Sequence, residues 1–275
     1  YLPGVKIQIF HGYAAEKKDH WVIRRYFDTY FTQGPFFTRG FKALAKKYKD
    51  FEVVETGWPR QDWIYANLHT FDNEKKELLE KYRKSKLLLY APTFSPSLTS
   101  LPFIKEGLVK IAKEKDILLI LKFHPLTRPE WMEEYKALSE QHENILWIED
   151  HNITKYQLMA DVMISDTSST VYEFLLLDKP VITYKTIAKD IYWLDIQHPE
   201  DLPDAFDLVL QDAALASKRK WIIDNYDPYL DGKVCHRMLD AARDYISRHG
   251  VPKKRKLNLW RKYTSIKKFG KVKRR

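Results

Sequence analysis

A single cysteine, Cys235, in 275 residues excludes an internal disulfide and favours a reduced compartment. No apolar run approaches the roughly 20 residues of a membrane span, and no signal peptide is recognisable. Glycine is scarce, at nine residues, and none sits in a Walker loop, a Gly-x-Gly-x-x-Gly turn or a Gly-x-Ser-x-Gly elbow. Asp-x-Asp is absent as well. P-loop, Rossmann-dehydrogenase and serine-hydrolase chemistries lose support accordingly. Acidic residues are missing from positions 251–275, which carry twelve Lys and Arg. The remainder holds 35 basic against 37 acidic residues, so the formal net charge of +10 belongs to the tail and not to a nucleic-acid-binding fold.

What is present is a globular composition, 44% hydrophobic and 31% charged, long enough for two domains. The chain opens at Tyr1 and runs at once into VKIQIF, which reads as a chain lacking an upstream part. Candidate strands are Val5–Phe10, Thr29–Thr32, Phe51–Thr56, Leu87–Ala91, Ile117–Phe123, Ile145–Ile148, Val162–Ser165 and Val181–Tyr184. Several are continuous apolar runs, as expected for strands covered on both faces. Helical patterns lie between them at Asn73–Lys84, Pro102–Lys115, Pro129–His142 and Thr154–Ala160, and a further helix is expected over Lys233–His249. Strands alternating with helices predict an α/β fold with parallel sheets. The Pro- and aromatic-rich stretch Gly57–Thr70 breaks the pattern and marks a junction. The expected division is 1–66, 67–230, a helix over 231–250 and a basic aromatic tail over 251–275.

The most informative stretch is Val162–Tyr184, a strand, a hydroxyl-rich turn, a helix and a second strand. The turn holds Asp166, Thr167, Ser168, Ser169 and Thr170. Thr170-x-x-Glu173 fits a capping box. The other four residues suit a solvated loop equally in composition, but hydroxyls and free N–H groups at a strand end also suit a phosphate. In an open α/β sheet, ligands bind beyond the carboxyl ends of the strands. Two histidines follow other strands. His124 ends ILLILKF before Pro125, and His11 ends VKIQIF before Gly12, whose missing side chain permits a sharp turn or a close approach to a ligand. Either histidine alone is as readily structural; either can move a proton. In Gly57-Trp58-Pro59-Arg60-Gln61-Asp62, Arg60 is a candidate phosphate partner, and Asp62 is expected to pair with Arg60 and hold the turn. The remaining histidines read as mostly solvated. No set has metal-ligand spacing, so no cofactor is assigned and the metal requirement stays open.

His11-Gly12, Gly57-x-Pro-Arg60-x-Asp62, Lys122-Phe-His124-Pro125, Asp166-Thr-Ser168-Ser169 and Lys179-Pro180 occur in an order that resembles the CDP-glycerol glycerophosphotransferases, which include teichoic acid primases and polymerases. The resemblance covers roughly Val5 to Asn225. It implies a GT-B-like fold, two Rossmann-like domains facing a cleft, the N-terminal one short here. It implies transfer of glycerol phosphate from CDP-glycerol, or another CDP-alditol, to an acceptor hydroxyl with release of CMP. On this reading His11 is the base and His124 faces the pyrophosphate. Thr167, Ser168, Ser169 and Arg60 hold the donor phosphates, with Gly12, Asp166 and Glu173 elsewhere in the cleft. The acceptor would be polyprenyl-diphosphate-linked or a polymer. The basic tail, punctuated by Trp260, Tyr263 and Phe269, would lie on an anionic membrane surface at the inner face of the cell membrane, with no nucleic acid involved. Two readings compete: a GT-B glycosyltransferase using a nucleotide sugar, in which Glu173 meets a ribose or sugar hydroxyl, and a non-catalytic, membrane-associated nucleotide-binding protein.

Overall fold

Parallel pairing governs every strand of the computed structural model, which describes residues 3–13, 18–23, 26–253 and 259–270. The strands form two sheets. The first has the order β1 (Ile7–Gln8), β2 (Thr29–Thr32), β3 (Glu52–Glu55). The second contains β4 (Lys86–Tyr90), β5 (Ile117–Leu121), β6 (Ile145–Trp147), β7 (Val162–Ser165), β8 (Val181–Tyr184) and β9 (Leu194–Ile196). Its order is β6-β5-β4-β7-β8-β9. The chain winds outward from β4 to β6 and returns to place β7 beside β4, with Leu89 opposite Met163. That reversal opens a crevice above the carboxyl ends of β4 and β7.

The apolar runs form strands because both faces of the larger sheet are covered. Leu88 and Tyr90 join one buried cluster with Ile104 and Leu108 of helix Leu101–Glu114, Tyr135 of helix Pro129–Glu140 and Phe206 of helix Leu202–Gln211. Leu87 and Leu89, pointing the other way, join a second cluster with Met159 of helix Ile153–Met159 and Phe174 of helix Thr170–Leu175. This second cluster runs on into an aromatic core under the smaller sheet, built from Tyr30, Phe37, Phe41 and Phe51.

The C-terminal third returns to the smaller sheet. Helix Ala213–Tyr226 packs against helix Pro35–Tyr48. Gly34 precedes the latter, and a Cβ there would lie 2.4 Å from the Tyr226 carbonyl oxygen, so only glycine permits that approach. Helix Val234–His249 lies across helix Arg60–Ala66 and reaches β3 through Arg248, whose guanidinium donates to Glu52 at 2.8 and 3.0 Å.

Three expected strands, β2, β7 and β8, begin and end where the sequence places them; β4 lies one residue earlier than expected, at Lys86–Tyr90, and β1, β3, β5 and β6 are trimmed at one or both ends. Helices Pro35–Tyr48, Arg60–Ala66, Leu202–Gln211 and Ala213–Tyr226, and strand β9, are additional to the sequence reading. So is a helix over Leu259–Phe269 in the tail. Asp62 does not pair with Arg60. Its carboxylate accepts from the backbone N–H groups of Val234 and Cys235, both at 2.8 Å. The open N–H groups of a long helix are better partners for an acid than a turn needing no support.

Candidate active site

A cleft of about 480 Å³ lies over the carboxyl ends of β4, β5, β6 and β7. Its walls bring together His11, Lys122, His124, His151 and the hydroxyl run Thr167–Thr170. Among the described residues no carboxylate lines it. Cations, neutral donors and hydroxyls without a competing acid make a site for an anion.

The hydroxyl turn is fixed from below. Ser165 Oγ donates to the Ala91 carbonyl at 2.7 Å. Asp166, 1% exposed, accepts from the Thr93 N–H at 2.9 Å and from the Ser100 N–H and Oγ at 2.8 and 2.9 Å. Burial pushes its carboxyl up to about 6 against those hydrogen bonds. Asp166 therefore ties the loop after β4 to the turn after β7 and is not part of the cleft wall. Thr167 Oγ1 accepts from the Ile187 N–H at 3.1 Å. Ser168 Oγ lies 2.9 Å from Thr170 Oγ1 and accepts from the Thr170 N–H at 3.4 Å.

The expected capping box does not form. Thr170 is already the first helical residue, and the N-cap residue, Ser169, makes no side-chain cap bond. Glu173 turns instead to Arg60, 3.4 Å away. Burial raises its carboxyl, with Arg60 opposing. Arg60 also bonds Thr154 Oγ1 and lies over the Trp58 ring, so it is engaged away from the cleft walls, as is Glu173. A tertiary ion pair has displaced a local cap worth only about 1 kcal/mol.

The end of β5 supplies a cation and a proton donor. Lys122, 5% exposed, donates to the Phe123 carbonyl at 3.1 Å. Burial lowers its ammonium, while Asp150 favours the charged form. His124 stacks on Phe94 with ring centroids 4.4 Å apart. Its Nδ1 accepts from the Leu126 N–H at 3.1 Å, which leaves the proton of the neutral ring on Nε2. Burial and the neighbouring Lys122 both lower its pKa, so the ring near neutrality is an uncharged Nε2–H donor.

The opposite wall is His11, an exposed side chain in the loop after β1. Gly12 is buried behind it and its carbonyl accepts from Gln33 Nε2 at 2.7 Å. Gly12 has no positive φ, and a Cβ would meet nothing within 4 Å, so neither a sharp turn nor internal packing requires the glycine. Lys122 and His151 also line the cleft; a lysine closing an otherwise apolar run was the legible signal for the first. Another histidine read as solvated, His20, is half-buried among Phe10, Phe37 and Phe41, and burial lowers it to about 4.

Residues 4–192 match the family described as CDP-Glycerol:Poly(glycerophosphate) glycerophosphotransferase. A teichoic acid glycerol-phosphate primase of Bacillus subtilis (strain 168) is 28% identical over 215 residues, covering 72% of this chain and 53% of that protein. A teichoic acid ribitol-phosphate primase of Bacillus spizizenii is 26% identical over 228 residues, covering 74% and 56%. The chain thus spans about half the length of these relatives. The wall teichoic acid polymerase TagF superposes with a TM-score of 0.61 at 18% identity, over 89% of this chain and 69% of that one. That likeness establishes the fold, a GT-B arrangement of parallel α/β sheets.

Proposed function

The chain belongs to the CDP-glycerol:poly(glycerophosphate) glycerophosphotransferase family, and we propose that it transfers glycerol phosphate from CDP-glycerol to an acceptor hydroxyl, releasing CMP. The observation that carries this reading is the convergence of Lys122, His124 and the hydroxyl turn of the larger sheet with His11 of the smaller one on a single cleft that has no carboxylate among its described lining residues.

Phosphoryl transfer asks for positioning and charge neutralisation more than covalent chemistry. The diphosphate lies against Lys122, the Nε2–H of His124 and the hydroxyls of Thr167, Ser168 and Ser169. Helix Thr170–Leu175 has only six residues, so the hydroxyls and Lys122, and not a long helix dipole, carry the charge. His11 takes the proton of the acceptor hydroxyl. The acceptor oxygen forms a bond to the phosphorus bearing glycerol, the bridging P–O bond breaks, and its electron pair leaves on CMP. Arg60 joins the donor only by leaving Glu173. Residues 1–66 serve as the acceptor side and 67–230 as the donor side, and the helix over 231–250 crosses back.

The tail supports a membrane-bound acceptor. Twelve basic residues in 251–275 accompany a helix that exposes Leu259, Trp260 and Tyr263. Each Lys or Arg contributes about 1 kcal/mol at an anionic surface, and Trp and Tyr favour the interface. No helix among the described residues is long and apolar enough to cross a membrane. The tail would rest on the inner face of the cell membrane, where it would meet a polyprenyl-diphosphate-linked acceptor.

The test is CMP release by the purified chain from CDP-glycerol, with and without a glycerol-phosphate acceptor. Acceptor-dependent release is expected. Turnover of nucleotide sugars alone, or donor binding without turnover, would overturn the reading.

A further inference from the structure

Besides the bond from Gln33, just after β2, to the Gly12 carbonyl, the His11 loop is held from outside its own sheet. Tyr13, two residues on, is fully buried against Phe37 and the edge of Trp58. Its hydroxyl donates to Asp227 Oδ2 at 2.7 Å, across 214 positions of sequence, and accepts from Gln61 Nε2 at 3.2 Å. The same Oδ2 accepts from the Trp58 N–H at 2.9 Å, and Oδ1 accepts from the Tyr229 N–H at 3.3 Å. Asp227 is 2% exposed. A buried carboxylate gives weak net stabilisation, because its desolvation offsets its hydrogen bonds. Burial pushes this one up to about 7 despite three of them. Packing alone does not account for an acid here.

Its neighbour gives the reason for its position. Tyr226 stacks on Tyr172 of the helix that follows the hydroxyl turn, with centroids 5.1 Å apart and planes 11° apart. It stacks also on Phe36 of the smaller-sheet side, at 4.9 Å and 17°. Two consecutive residues of the returning chain therefore touch the donor wall and the His11 loop.

We infer that Asp227, acting through the Tyr13 hydroxyl, is a positioning residue that sets His11 against the donor wall. The returning segment Tyr226–Asp227 holds the two walls in register. The kinetic part of this inference rests on the transfer reaction proposed above; the anchoring part does not.

Tyr13→Phe in the full chain removes one hydroxyl and keeps the ring in its pocket, and Asp227→Asn tests the other partner. The expected result for Tyr13→Phe is a kcat lower by roughly 10- to 100-fold, as for a slightly misplaced base. CDP-glycerol affinity, by calorimetry, should stay within about twofold. Backbone amides of residues 11–13 should exchange hydrogen at least about tenfold faster, with the larger sheet unaffected. In a His11→Ala background Tyr13→Phe should cost nothing further. An unchanged kcat, or an equal loss with and without His11, would overturn the positioning role. Unchanged exchange at residues 11–13 would overturn the anchoring. If the parent releases no CMP, the transfer reading fails, and the exchange measurement still decides whether Asp227 holds the loop.

Discussion

The two walls of the cleft are made in different ways. The wall proposed to hold the donor stands on strands buried on both faces, and its turn is fixed by Asp166, Thr93 and Ser100 of the same sheet region. The His11 wall hangs from β1, a half-buried edge strand of two residues. Its anchor, Asp227, arrives from the far end of the chain. The charge-neutralising surface is thus preorganised locally, while the candidate base depends on a long-range closure. Binding and chemistry should separate along that line.

The largest effect expected is from His11→Ala. Loss of a general base lowers turnover by roughly 10²–10⁴-fold, and CDP-glycerol binding should remain nearly intact. Equal losses in both parameters would erase the division between the walls. Lys122→Met comes next. Removing a buried charged donor should weaken CDP-glycerol by roughly tenfold or more in calorimetry, with turnover at saturating donor much less affected.

Gly34→Ala probes the joint between the walls. Its Cβ would overlap the Tyr226 carbonyl oxygen at 2.4 Å. A cost of about 1–3 kcal/mol is expected from such overpacking, read as a lower melting temperature. The same substitution at Gly12, where nothing lies within 4 Å, should leave stability almost unchanged.

The smallest effect is on pH dependence. Asp227 is raised by burial from 3.8 to about 7. Its folded form therefore holds a proton that the unfolded chain has released between those values. That contribution to stability is present below pH 3.8 and is lost as pH rises through about 7. Asp166, raised to about 6, acts with the same sign. Asp227→Asn should flatten the fall of melting temperature with rising pH. An unaltered slope would show that the Asp227 carboxyl is not raised.

The wall proposed to hold the donor was legible in sequence, whereas of the other wall only His11 and Gly12 were and not what anchors them, for one physical reason. Strands such as Leu87–Leu89 and Val162–Ser165 announce themselves because both faces are buried, and the hydroxyl turn follows its strand directly. Tyr13, Gln33 and Asp227 carry no local pattern, since their partners lie far along the chain. Helix Pro35–Tyr48 is hidden by the Phe36–Phe37 pair and by Gly40, which interrupt a simple 3.6-residue period. Thr170-x-x-Glu173 sent a clear local signal that the distant Arg60 overrode. His11 and His124 could be ranked above the other histidines because each closes an apolar run of the sequence, although β1 and β5 themselves end at Gln8 and Leu121. His151, in a loop after β6, has no such marker.

A structure of the chain with CDP-glycerol bound tests the central claim most directly. The account predicts the diphosphate against Lys122, His124 and Ser168–Ser169, with the glycerol-bearing phosphate facing His11 across the cleft. A diphosphate held at the smaller sheet, or one with His11 turned away from the glycerol phosphate, would contradict it.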